Sequence, residues 1–137
     1  MGIETTMLTI DFGLVVLIWL VQLVIYPSFL HYQANELIIW HQTYTKRIAA
    51  VVVPLMVGQA ILALFQIYRV FGAMEAIRIS FIIAVWVSTF AQFVPLHRKI
   101  ASGIVDRTML QRLVNRNWLR TALWSGLFVL DLCIGLL

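Results

Sequence analysis

Cysteine is almost missing from this chain. The one present, Cys133, lies inside an apolar stretch, which excludes an internal disulfide and a cysteine-built metal knuckle and leaves the redox compartment unread. Charge is also scarce: Lys, Arg, Asp and Glu together make 12% of the 137 residues, about half the share of a soluble domain. Six acidic residues stand against ten basic ones, and none falls near the middle of an apolar run. A proton-coupled small multidrug exporter needs an acid there, so that class is disfavoured. The apolar–polar alternation of a membrane β-barrel strand is absent. No spacing of the three histidines fits a zinc signature. No cleavage motif of small residues follows the first apolar run, which is too long for a signal-peptide core and is expected to stay attached.

What the chain has instead is apolar surface. Hydrophobic residues make up 62% of it and the mean hydropathy is +0.94, so its solvent is lipid rather than water. The net charge of +4 comes from arginines that bracket apolar runs. That is a pattern of membrane orientation, and nucleic acid is discarded as a partner.

Four runs, at about 8–30, 48–68, 76–94 and 119–137, each supply the roughly 20 residues that cross a hydrocarbon core of about 30 Å. Backbone groups in lipid must be satisfied within the segment. The expected fold is therefore all-α, an integral membrane antiparallel four-helix bundle forming a single transmembrane domain over 1–137. Asn35 is a candidate N-cap for helix 2, with Glu36 complementing its dipole, and Asp106 is a similar cap for helix 4 after a break at Gly103. Helices 2 and 4 thus extend past the membrane on one side, and a short turn near Phe71-Gly72-Ala73 joins helices 2 and 3. The side of loops 1 and 3 carries Lys46, Arg47, Arg98, Lys99, Arg107, Arg112, Arg116 and Arg120, against only Arg69 and Arg78 on the other. Loops 1 and 3 are expected in the cytoplasm and both termini outside it.

Polar residues with chemical potential gather toward the same basic side. His41 and Tyr44 lie roughly 9 and 14 Å along helix 2 from its cap, and Asn117 about 17 Å along helix 4. Gln22 and Tyr26 stand at i, i+4 on helix 1, with Trp19 on the same face and Pro27 loosening the turn. On a straight helix 3, Trp86, Thr89, Phe93 and His97 share one stripe, with Gln92 beside it and Pro95 disturbing the backbone. Asn117, Arg120, Thr121 and Trp124 occupy i, i+3, i+4 and i+7 of helix 4, one face with an amide, a fixed cation, a hydroxyl and an indole.

Each of these also has a plainer reading. Arg120 either faces the bundle or snorkels to the headgroups, and Trp118 and Trp124 suit an interfacial aromatic belt. His41 and His97 are candidate acid–base groups or hydrogen-bonded structural residues, while His31 lies in a solvated loop. Two histidines on separate helices would also serve as axial haem or metal ligands, though no cofactor is called for by the sequence. Gln59 and Gln66 are expected to hydrogen-bond between helices. Asp11 and Asp131 fall toward the outer leaflet, to reach headgroups or a neighbour, in a half that otherwise reads as packing. Small residues Gly58, Ala60 and Ala63 leave room for a homo-oligomer.

The order Gln22…Tyr26-Pro27-x-Phe29, His41-x-x-Tyr44, Pro54, Trp86-x-x-Thr89, Pro95-x-His97, Gly103 and Asn117-Trp118-x-Arg120-Thr121-x-x-Trp124 resembles a family of short bacterial four-helix integral membrane proteins without an assigned activity. More distantly it resembles the anthrone-oxygenase-like membrane proteins, some of which oxidise flat aromatic polyketides. The resemblance implies a bacterial inner membrane, and the convergence of polar groups from four helices at one depth, among Trp19, Trp86, Trp118, Trp124 and phenylalanines, points to a lipophilic substrate. The leading expectation is then an oxidase, oxygenase or isomerase acting on a hydrophobic ring-bearing or isoprenoid-like molecule drawn from the membrane lipid. His41, His97, Tyr44, Arg120 and Asn117 would be its catalytic residues, and Gln22, Tyr26, Trp86, Thr89, Gln92, Trp118, Thr121 and Trp124 would bind substrate. The other two expectations are a haem or metal carrier using His41 and His97, and an accessory membrane subunit without catalysis.

Overall fold

A computed structural model describes residues 2–136, and among these no strand occurs. The chain forms four long helices: α1, Ile3–His31; α2, Ala34–Arg69; α3, Ala73–Ala101; and α4, Arg107–Leu136. Each is long and apolar enough to cross a membrane. In the most apolar stretch of each, at most 28% of residues are buried. Hydrophobicity that exceeds what the interior absorbs has lipid as its destination, which is why Phe12, Leu23, Ile61, Leu64 and Val87 point outward. The last expected span ended at Leu137, outside the described residues.

Helices α2 and α4 run past the span on the basic side, as expected, but the other two overrun as well. At 1.5 Å per residue the shortest helix is about 43 Å long, well beyond a core of about 30 Å. Three short connections force the antiparallel order and put loops 1 and 3 at one end, the basic end, with both termini at the other, the terminal end. In loop 3, Gly103 takes φ +86°, a conformation that favours glycine. Asp106 caps α4 through its Oδ1, which accepts the Met109 N–H at 2.7 Å. Asn35 does not cap α2. The chain leaves a 3₁₀ turn at Phe29–His31 already extended at Tyr32 and Gln33, so Gln33 takes the cap position, makes no side-chain bond there, and its carbonyl accepts the Leu37 N–H.

Two proline-linked irregularities shape the interior. Wide π turns at Val21–Ile25 and Thr89–Phe93 lie just before Tyr26-Pro27 and Val94-Pro95. A proline lacks the N–H of the i→i−4 bond and collides with that carbonyl, and one wider turn relieves both faults. The extra residue rotates everything beyond it by up to about 100° relative to a straight helix. Pro54 sits inside α2 with no such turn.

α1 packs between α2 and α4, and α3 closes the bundle against the same two helices. Leu14, Ile18, Phe29, Val85, Leu113, Trp124 and Leu127 fill its axis. A methyl group on Gly126 would stand 2.9 Å from the Phe81 ring, so glycine sets the approach of α3 and α4. Gly58 and Ala63 likewise serve contacts within the bundle: Gly58 lies against Ile10, and Ala63 is buried.

Candidate functional site

At the basic end all four helices contribute to a cavity of about 400 Å³. Most of its wall is aliphatic, from Leu17, Ile18 and Val21 of α1 and Ile48 and Val52 of α2. Thr45 and Ala49 of α2 and Arg98 and Ala101 of α3 also line it, the last two exposed. The polar lining is concentrated in Tyr26, His41, Tyr44, His97 and Arg120.

Three of these are joined in a line. Tyr26 Oη is 3.1 Å from His97 Nε2, and His97 Nδ1 is 2.7 Å from His41 Nε2. The two imidazoles stand nearly parallel, 5.0 Å between centroids and 27° between planes. His41 Nδ1, at the head of the line, is buried with no protein partner. Each contact needs one proton, and only two arrangements are consistent. In one, Tyr26 donates to His97, His97 donates to His41, and His41 Nδ1 carries a free N–H. In the other, both bonds are reversed, His41 Nδ1 presents a bare lone pair, and the Tyr26 hydroxyl is free to donate elsewhere. Shifting both line protons converts His41 between donor and base, provided that one proton is exchanged at His41 Nδ1 and another, in the opposite sense, at the Tyr26 hydroxyl.

Arg120 faces the bundle and does not snorkel. It is 8% exposed, its guanidinium carbon 4.3 Å from the centroid of Phe93 and 5.2 Å from that of Trp124. Its Nε has no partner, and among the described residues no carboxylate pairs with it. Aromatic faces hold the cation in place without neutralising it. Tyr26 and Tyr44 are its neighbours in the cavity.

The remaining candidates divide into groups. Trp124 and Thr89 line the cavity, although the Thr89 hydroxyl donates back to the Val85 carbonyl at 2.8 Å. Gln22, Asn117 and Thr121 form an interhelical lock away from it. Asn117 Nδ2 donates to Gln22 Oε1 at 3.0 Å, Thr121 Oγ1 donates to the same oxygen at 3.3 Å, and Gln22 Nε2 donates to the Val114 carbonyl at 3.3 Å. Trp118 is exposed and meets Trp19 edge-on. Trp86 stacks on Phe90, and Gln92 is half-buried with its Oε1 unpartnered; neither lines the cavity. The π turn explains the separation on α3: Trp86 precedes it, so the phase slip takes Trp86 off the stripe that Thr89, Phe93 and His97 share in the cavity wall.

No group of three or more His, Cys, Asp or Glu suited to a metal occurs among the described residues. His41 and His97 are the two ring ligands on offer. Ligand nitrogens about 2.0 Å from one metal stand about 3 to 4 Å apart. These two, at 2.7 Å, share a proton instead.

A second polar layer lies at the terminal end: of the two expectations for Asp11 and Asp131 the structure has the pairing with neighbours, and Gln59 and Arg78 add polar contacts to a half otherwise expected to be packing. Asp11, Gln59, Arg78 and Asp131 are all buried. Arg78 Nε donates to Asp131 Oδ1 at 2.7 Å, and its Nη2 bonds the same oxygen. Glu75 stands 3.9 Å from the guanidinium. Gln59 Nε2 donates to Asp11, and Gln59 Oε1 accepts from Trp124 Nε1 at 3.4 Å. Gln66, the other expected interhelical bond, leaves its Oε1 without a partner. Arg78 counted in the sequence only toward orientation. The available signal was its place on the second turn of α3, too far in to be a solvated end residue.

Comparison of the chain with family models, with curated proteins and with solved structures finds no match.

Proposed function

We propose that this protein is a membrane-embedded enzyme that moves a proton on a lipophilic, ring-bearing or isoprenoid-like molecule drawn from the membrane, as an isomerase or as an oxidase or oxygenase. The observation that carries the reading is the Tyr26–His97–His41 line beside an uncompensated Arg120 in one largely apolar cavity. Apolar walls with a few convergent polar groups suit a hydrophobic ligand. The basic residues around this end support an orientation that turns the cavity toward the cytoplasm.

In this reading His41 takes a proton from a carbon next to a carbonyl, or from a phenol, and the line to Tyr26 absorbs the change. Positioned acid–base groups of this kind contribute about 10²–10⁴-fold. Arg120, with Tyr44, stabilises the resulting enolate or phenolate. A preorganised donor to such an oxyanion is worth about 10²–10³-fold. Isomerisation returns the proton at another position, whereas oxidation consumes dioxygen as a co-substrate, which takes two electrons and leaves as hydrogen peroxide or, in an oxygenase, puts one oxygen into a new C=O and leaves the other as water. Asn117, Gln22 and Thr121 act through helix positioning, and Trp124 by holding Arg120.

Cells carrying His41→Ala, His97→Ala or Arg120→Met, each compared with wild type by profiling of lipid extracts, test the proposal. One hydrophobic compound should accumulate and another disappear in all three. Unchanged profiles in every variant, with the proteins present in the membrane, would remove it.

A further inference from the structure

The terminal end holds a group of charges that does not balance. Asp11 of α1 meets Asp131 of α4, and the cation bonded into the group is Arg78 of α3, whose guanidinium is committed to Asp131 Oδ1. Asp131 Oδ2 is buried and has no partner, on a side chain that is 4% exposed. Gln59 of α2 presents its amide N–H to Asp11 Oδ1, and its orientation is set from the other side by the Trp124 N–H. The acceptor side of Asp11 is thereby assigned, so a proton on Asp11 belongs to its second oxygen. Glu75 flanks Arg78 near the start of α3, and Glu4 is exposed on the first turn of α1.

Two adjacent carboxylates away from water cannot both ionise against one guanidinium without leaving a buried charge uncompensated. We propose that Asp11 and Asp131 hold one exchangeable proton between them, making the terminal end of the bundle a proton-binding site open to the membrane face on which both termini lie. The proton on Asp11 supplies the donor that Asp131 Oδ2 lacks. A metal cation is the wrong ligand, because Arg78 already takes the cation position. A notch of about 160 Å³ bordered by Glu4, Thr5, Arg78 and Asp131 gives the Asp131 side of the pair a route for exchange. The site shares no acid or base with the His41–His97 line and stands whether or not that cavity is catalytic.

Infrared spectroscopy of the purified protein tests this. At neutral pH the wild type should show the C=O stretch of a protonated carboxyl, shifted in D₂O and fading as pH rises. Asp11→Asn should abolish the band and Glu4→Gln should keep it. Because the amide imitates a protonated acid, Asp11→Asn should melt close to wild type, while Asp131→Asn, which strands Arg78, melts lower. Absence of the band in wild type, its survival in Asp11→Asn, or its loss on adding sodium at constant pH overturns the proposal. If Asp11→Asn does not fold, Gln59→Leu decides, because removing the amide donor must move the band, and an unmoved band counts against the assignment.

Discussion

The two ends of this bundle bury polar groups from all four helices, yet they do opposite things with them. At the terminal end Arg78 is bonded to Asp131, Gln59 to Asp11, and the space among them is closed. At the basic end Arg120 lies on aromatic faces, His41 Nδ1 is unpartnered, and a cavity of about 400 Å³ separates the helices. Charges bonded to one another across closed space hold helices together, even where one acceptor, Asp131 Oδ2, is left for a proton, whereas unpartnered groups around a cavity are available to a larger ligand. A bonded charge network that ties the helices at one end thus stands against a cavity with room for a ligand at the other.

Arg78→Met offers the hardest test of that division. It leaves Asp131 buried without its cation and should cost about 3–5 kcal/mol of stability, read as thermal unfolding in detergent, while molecules still folded keep their turnover. Loss of turnover without loss of stability would break the division. His97→Ala interrupts the line at its centre and should lower turnover about 10²–10⁴-fold, with a smaller loss of stability than Arg78→Met. The reverse pattern would make the histidines structural.

Asn117→Ala sharpens the boundary within the basic end. Because Asn117 bonds Gln22 and does not line the cavity, it should cost about 1–2 kcal/mol in stability and leave turnover per folded molecule within a few-fold of wild type. A selective effect on turnover would return Asn117 to the chemistry. Trp118→Ala, on the exposed face of α4, should change stability by no more than about 0.5 kcal/mol. A larger effect would mean that its edge contact with Trp19 contributes to the α1–α4 packing.

Much of this was legible along the chain, and the limits are physical. Helix number, the turns at Gly72 and Gly103, the Asp106 cap and the gathering of His41, Tyr44, His97 and Arg120 toward one end follow from hydropathy, caps and rise per residue. Asn35 has the residue type of a cap but not the place, because a cap depends on where the preceding turn releases the chain, here at Gln33. Trp86 shares a stripe with His97 only on a straight helix, and Pro95 announces a disturbance but not the width of the turn that absorbs it. Arg78 and Asp131, 53 residues apart, have no mutual signal in their spacing.

The sequence by itself determined that this is a four-helix bundle in lipid with a basic end, because lipid leaves the backbone no alternative to helices and 20-residue apolar runs leave no doubt where they lie. Only the tertiary structure decided which polar groups became partners. Helix phase after a π turn, the approach allowed by Gly126 and the free volume between α2 and α3 are properties of packed surfaces. They separate a filled charge network at one end from an open histidine line at the other.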